Sequence, residues 1–387
     1  MSIKTKNNID ETNIVNRDDK NVNFYLTQKK LVSEKFLNGA FEDDSCVFEQ
    51  EQDGKSNVNI SFIDFFDEKL DNFCKRFSLD IDFSEIVDDA DYVGLSVEEQ
   101  FCERIVYFVE NCDYNNQIKK WLRSETKRIT MKINSKYDNN LSCNGFSNNV
   151  LSKVPDMREL VMYKLFLFII RSFKFGYDKT LKQHWLPIVY LKNFSTSKSV
   201  DEAKNVIKKN NSSSNNNIYN KTLLLRSRAL FKNSELVFYL RPGHFINTEP
   251  QYSNYVENFY SMVEAAYSEP KNIVDYVLFS IAHMTRKQNT VNSLNDFFKI
   301  LNNFFNIFDE CYFYLSSTNR LSFDPENICY YRANKDYNMV VFPIKQNILL
   351  TISNKKQSTR IMQNIKNHYE NYVERQFNKG NYIIEPV

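Results

Sequence analysis

The chain has 387 residues, 42% of them apolar and 15% aromatic, and its 50 Lys/Arg against 48 Asp/Glu leave a net charge of +2. That length suits two domains of ordinary size, and the apolar share excludes a wholly disordered chain. The seven glycines and eight prolines disfavour propellers, collagen-like repeats and glycine-rich phosphate loops. The charge is unevenly spread: residues 1–117 carry 12 Lys/Arg against 26 Asp/Glu, or −14, and residues 118–387 carry 38 against 22, or +16. Opposite fields of that size draw the two halves together, or direct the basic half to a polyanion. Solvated faces that serve only solubility are the plainer alternative.

Residues 1–22 are polar and mixed in charge, which predicts a disordered tail and no signal peptide. An acidic, mainly helical domain is expected over 23–150, with a loop at 41–58. Within it Phe62, Phe66, Leu70, Phe73 and Phe77 recur at three and four residues, the spacing of one helical stripe turned to a core. A second helix is predicted over about 97–111 from Phe101, Ile105, Phe108 and Val109. The domain ends in a basic segment, IKKWLRSETKRITMKINSK at 118–136, with seven Lys/Arg and one acid. Lys119, Lys120, Arg123, Lys127, Arg128 and Lys132 suit a phosphate backbone, and Trp121 among them suits stacking on a base. A basic amphipathic helix also suits a membrane surface or a partner protein, and lysine stems lying over a core edge are the bland reading.

A polar loop at 134–150 leads to Pro155, placed for a first helical turn, and to a central helix ending near 175. Its apolar run LVMYKLFLFII (160–170) is eleven residues long and broken by Lys164. A membrane span needs about 20, so no transmembrane segment is expected. Residues 151–387 read as an α+β domain with a mainly antiparallel sheet, interrupted by a mobile Asn/Ser loop at 205–220. Strands are predicted at 222–225, 236–240 and 312–317, and 339–344 with 347–352 as a hairpin. Helices are predicted at 252–267, 271–286, 292–308 and 358–378. Runs of each type favour α+β over a doubly wound sheet, with the helices of 252–308 packed on a sheet that holds both 236–240 and 312–317.

HWLPIVYLKNF (184–194) resembles the His-Tyr-Val-Pro-x-x-Tyr-Leu-x-x-Phe opening of a widespread, mostly microbial family, the domain of unknown function numbered four thousand two hundred and thirty-eight. His184, Pro187, Tyr190, Leu191 and Phe194 carry the match. IAHMTRKQ is similar to that family's helix ending in an arginine, which places Arg286. YLSSTNRLSF resembles its Ser-Asp-Asn-Pro strand, and VVFPIKQNILLTIS its Phe-Pro-Leu-Ser-Pro hairpin. The resemblance spans about residues 180–375. Here Ser317-Thr318-Asn319-Arg320 stands at the Ser-Asp-Asn-Pro position, so the aspartate and proline are absent, and with them any chemistry that they carry. What the resemblance implies is an architecture, since the family's activity is unknown.

Seven scattered cysteines without a C-x-x-C pair fit reduced thiols in a cytoplasmic protein. No spacing assigns a metal site or a cofactor. P-loop, nucleophile-elbow, zincin and Rossmann fingerprints are all missing from the sequence. For hydrolysis the candidate catalytic residues are His184, His283, Arg286 and Asn319, with Glu257 and Glu264 as acids, because such a site needs a base and a cation for developing charge. His283 and Arg286 are three apart and share a helix face; so do Glu257 and Glu264, seven apart. Structural roles are the alternative for each. Two functions follow: a nucleic-acid-acting protein, a defence- or toxin-like nuclease whose acidic half shields the basic one, or a non-enzymatic interaction protein, a subunit of a larger bacterial assembly that meets protein partners or its own copies.

Overall fold

The computed structural model describes residues 61–81, 83, 93–113, 115–136, 152–154, 157–176, 183–195, 225–240, 242–247, 253–286, 293–333 and 335–386. The tail at 1–22, the loop at 41–58 and the Asn/Ser tract at 205–220 lie outside the described residues. The class is α+β, with helices dominating the N-terminal part and antiparallel sheets the C-terminal part.

Helix α1 (Phe62–Phe77) starts where Ser61 and Asp64 form a capping box, which satisfies two of the orphan donors of its first turn. Ser78 closes it at φ 50°. Ser96 and Glu99 repeat the box for α2 (Val97–Asn111). The basic helix α3 (Asn115–Lys136) follows, then the short strand β1 (Ser152–Val154) and helix α4 (Arg158–Phe175). Eleven of the eighteen α4 residues are buried, as a helix apolar on nearly every face requires. A single turn, α5 (Ile188–Leu191), lies within the His184 motif. Helices α6 (Asn254–Ser268), α7 (Ile273–Met284) and α8 (Leu294–Ile307) complete the helical layer.

Helix α4 is its centre, packing against α1, α2, α3, α6 and α7. The aromatic stripe of α1 is its glue. Phe66 meets Phe101 edge to face at 5.1 Å and Phe166 at 4.8 Å, and Phe62 stacks on Phe305 at 5.3 Å. Rings more than 200 residues apart in sequence therefore share one continuous core.

Among the described residues two antiparallel sheets form, where one was expected. The larger has the order β1-β4-β7-β6-β5, with β4 (Tyr312–Ser317), β5 (Tyr330–Ala333), β6 (Asn338–Lys345) and β7 (Ile348–Ser353). The smaller has the order β3-β2-β8, with β2 (Leu225–Phe231), β3 (Ser234–Leu240) and β8 (Ile383–Glu385). The strands at 236–240 and 312–317 thus belong to different sheets. The first is claimed by a local hairpin, whose turn residues Lys232 and Asn233 both have positive φ (47° and 65°), the geometry that matches strand twist. The strand expected at 222–225 is seen at Leu225–Phe231; residues 222–224 lie outside the described set. Its alternation of Leu225, Ser227 and Ala229 with Arg226 and Arg228 reads as a strand only once Glu385 is in place, 3.1 Å from Arg226 Nε and 2.9 Å from Arg228 Nε.

The larger sheet is covered on both faces. Phe313, Leu315, Phe342, Leu350 and Ile352 join the helical core, where α7 lies on β6 and β7. On the other face Tyr314, Met339, Val341 and Leu349 meet Met362, Ile365, Tyr369 and Val373 of helix α9 (Thr359–Asn378). Pro343 sits in β6 at a register shift, the place in a sheet where a residue without N–H costs least.

The shared core has a measurable consequence. Trp121 lies on α3 and Trp185 ahead of α5, so each reports a different part of the chain. Single-tryptophan variants (Trp121→Phe or Trp185→Phe) should lose fluorescence structure at one common urea midpoint. Phe66→Ala, expected to cost about 3–5 kcal/mol, should lower that midpoint equally for both probes. Two separated transitions would show that the core does not unfold as a unit.

Candidate functional site

Five charged or titratable side chains gather between α6 and the end of α7. Ser253 caps α6, and on the helix Glu257, Tyr260 and Glu264 recur at three and four residues, which puts them on one face. Asn272 and Asp275 cap α7. That helix ends at Met284, two residues before the expected end, with Thr285 as its cap. Arg286, just beyond, folds back so that its N–H donates to the His283 carbonyl at 3.3 Å.

The Arg286 guanidinium is buried, and its Nη1 donates to Glu264 Oε1. Its Nη2 lies 3.5 Å from Glu257 Oε1. It also stands 4.5 Å from the centre of the Tyr260 ring, in cation–π contact. The Tyr260 hydroxyl is 2.8 Å from Thr285 Oγ1, which itself donates to the Ala282 carbonyl at 2.6 Å. The Tyr260 hydroxyl is therefore the donor of that pair. Tyr260, Glu264, His283 and Arg286 line a small recess with Val263, Phe279 and Ala282. It offers about 10 Å³, about enough for one water molecule.

Burial sets the protonation of this cluster. One cation faces two carboxylates, and Glu264 already holds it. Burial, with some repulsion from Glu264, pushes Glu257 from 4.5 up to about 7 against the pull of Arg286. Its Oε2 is buried without a hydrogen-bond partner. Burial and the nearby Arg286 charge hold His283 well below 6.5, and its Nε2 is likewise buried without a partner. A histidine so depressed stays neutral near pH 7 and is a poor proton acceptor there, whereas an effective general base has a pKa near the working pH.

The other two candidates lie apart from the recess lining. His184 is half-buried and forms an isolated antiparallel bridge with Ile246. Beside it the backbone N–H of Trp185 donates to the Phe245 carbonyl and the backbone N–H of Asn247 to the Gln183 carbonyl, each at 2.9 Å. Asn319 is exposed in the loop after β4, its main-chain oxygen accepting from Thr318 Oγ1 at 3.0 Å. The rest of the 184–194 motif is core. Tyr190 is fully buried, donates to the Pro343 carbonyl at 2.7 Å and packs on Phe279 and Phe323. Asn193 donates to the Tyr267 hydroxyl at 2.8 Å, and that hydroxyl donates to the Ile344 carbonyl. These bonds tie the motif to the β6 edge of the hairpin.

On α3, Ile118, Leu122, Ile129 and Ile133 face inward. Lys119, Lys120, Arg123, Lys127, Arg128 and Lys132 are all exposed. Lys119, Arg123 and Lys127 form one row at four-residue spacing, about 6 Å per step, with Lys120 beside it. Arg128 and Lys132 make a second row. The helix's acid, Glu125, is buried, and its Oε2 accepts from Arg128 (2.7 Å) and from the Tyr163 hydroxyl (3.2 Å). Trp121 does not reach outward as a stacking platform. Its ring packs edge to face on Phe73 at 4.8 Å and Phe77 at 5.4 Å, with Arg76 over it at 5.4 Å.

Sequence spacing brought His283, Arg286, Glu257 and Glu264 within sight of each other. It missed Tyr260, although the three- and four-residue steps from Glu257 and to Glu264 carried the signal. It also missed the Lys164–Asp275 pair, 2.6 Å apart in the core. Among the described residues no group of three His, Cys, Asp or Glu is arranged to hold a metal ion, and no helix is long and apolar enough to cross a membrane. No family model matches the chain, and neither a curated protein nor a solved structure matches it.

Glu257 makes stability fall as pH rises. Below about 4.5 the carboxyl is protonated whether folded or not; above that the unfolded chain ionises while the folded one keeps its proton until about 7. The stability lost across that window is about 3 kcal/mol. Glu257→Gln should match the wild type in urea denaturation near pH 4.5 and exceed it progressively towards pH 8. Parallel stability curves for the two proteins would contradict an elevated Glu257.

Proposed function

We propose that the chain binds nucleic acid through the outer face of α3, and that the Arg286 cluster holds α6 to the end of α7 without hydrolytic chemistry. The observation that carries this reading is the division of charge on α3: seven exposed cations outward, the single acid turned inward and paired. Such a row suits phosphates, whose neutralisation releases counterions and gives salt-sensitive affinity. The recess beside His283 has room for a water and none for a nucleotide, and His184 and Asn319 contribute nothing to its lining. The acidic surplus of residues 1–117 competes with nucleic acid for the cationic face and tempers its affinity. The likeness to the uncharacterised microbial family is read as architectural, because its Tyr, Leu and Phe positions here are Tyr190, Leu191 and Phe194, all buried.

The triple variant Lys120→Glu, Arg123→Glu, Lys127→Glu tests this in the full chain. All three side chains are exposed, so the circular dichroism spectrum should not change. Binding to a labelled oligonucleotide should weaken by at least about tenfold, and the slope of log K against log salt should flatten by about one for each cation lost. Unchanged affinity and slope would place the contact elsewhere or remove it.

A further inference from the structure

Resting on that reading, we infer that the ligand of α3 is a double helix gripped by its phosphates, with no base stacked on the protein. Single-strand binders pair a positive groove with aromatic side chains on which successive bases stack. Here the ring of α3 is engaged by the protein itself: Trp121 is half-buried, packed edge to face on Phe73 and Phe77 with Arg76 over it. Phe175, the other ring beside the cationic row, lies under Lys119, whose Nζ is 5.7 Å from its centre. Among the described residues the exposed large hydrophobic side chains are Val93, Val97, Met131 and Val237, none of them aromatic. Among the described residues, then, no ring stands fully exposed for an unpaired base, and those beside α3 are half-buried in packing contacts.

Charge density then decides between strands and duplexes. The row Lys119, Arg123 and Lys127 covers eight helical steps, about 12 Å. Over that length a duplex presents about seven phosphates, and one strand about half as many. Shape agrees. Among the described residues the exposed face of α3 is the outer side of a helix packed on α4 through its other face. A helix about 10–12 Å across matches a B-form major groove about 12 Å wide. An A-form duplex offers the same phosphates around a narrower major groove, so the shared chemistry is the paired phosphate backbone.

The test uses the full-length protein with three labelled probes of equal length: duplex DNA, duplex RNA and a single strand of mixed sequence. Affinity is read by fluorescence anisotropy at about 50 and 150 mM salt, and tryptophan emission is followed in the same titrations. At least one duplex should bind roughly tenfold more tightly than the strand, with a steep salt dependence. The DNA and RNA arms identify which backbone is the source. Tryptophan emission should be unchanged at saturation, and Trp121→Phe should keep the wild-type affinity within about twofold, because the ring makes no base contact. Equal or tighter binding of the single strand, or quenching that Trp121→Phe abolishes, overturns the duplex assignment and leaves nucleic-acid binding standing. No binding of any probe overturns both.

Discussion

The buried ion pair of Lys164 and Asp275 orients the helical frame. Lys164 Nζ lies 2.6 Å from Asp275 Oδ1, with the two side chains 2% and 3% exposed. Removing both charges from water costs several kcal/mol each, recovered only where geometry and further hydrogen bonds are good. Here they are. The other Asp275 oxygen accepts from the backbone N–H of Lys271 at 2.8 Å and of Asn272 at 3.3 Å, so one carboxylate both caps α7 and anchors the ammonium of α4. The lysine that breaks the apolar run of 160–170 is thus the residue that fixes the approach of α7 to the central helix.

Both candidate surfaces descend from that frame. Along α7 the chain carries Phe279 to Tyr190 and Tyr267, and His283 to the recess. One residue before Lys164, Tyr163 reaches Glu125 and draws the acid of α3 inward. With Glu125 withdrawn and Arg128 folded over it, nothing acidic on α3 offsets Lys119, Lys120, Arg123 and Lys127. The cationic face is therefore a product of α4 packing as much as of local composition. The Arg286 cluster has the opposite character: its charges are enclosed, mutually compensated and set against a ring, an arrangement suited to joining helices.

Much of the fold was legible because its signals are local. The stripe Phe62–Phe66–Leu70–Phe73 and the strand at 312–317 fall where their periods put them. What could not be read depends on partners distant in sequence. Ser152–Val154 is a strand only because Phe313–Leu315 lies beside it, and Ile383–Glu385 only because Arg226–Arg228 does. For the same reason two sheets looked like one. At the site, three- and four-residue spacing revealed which side chains share a helix face, and so Arg286, His283, Glu257 and Glu264 were all in view. It could not reveal that Trp121 turns towards Phe73, that His184 belongs to a strand bridge, or that Asn319 ends in an exposed loop. Those outcomes are set by packing between elements.

Lysine-reactivity footprinting of the full-length protein, free and saturated with duplex DNA, tests most directly whether α3 is the contact surface. Each exposed lysine reports its own surroundings. Loss of labelling at Lys119, Lys120, Lys127 and Lys132, with Lys355 and Lys356 on the exposed segment before α9 labelled as before, is the predicted result. Protection confined to Lys355 and Lys356, or a pattern unchanged by saturating duplex, would contradict it.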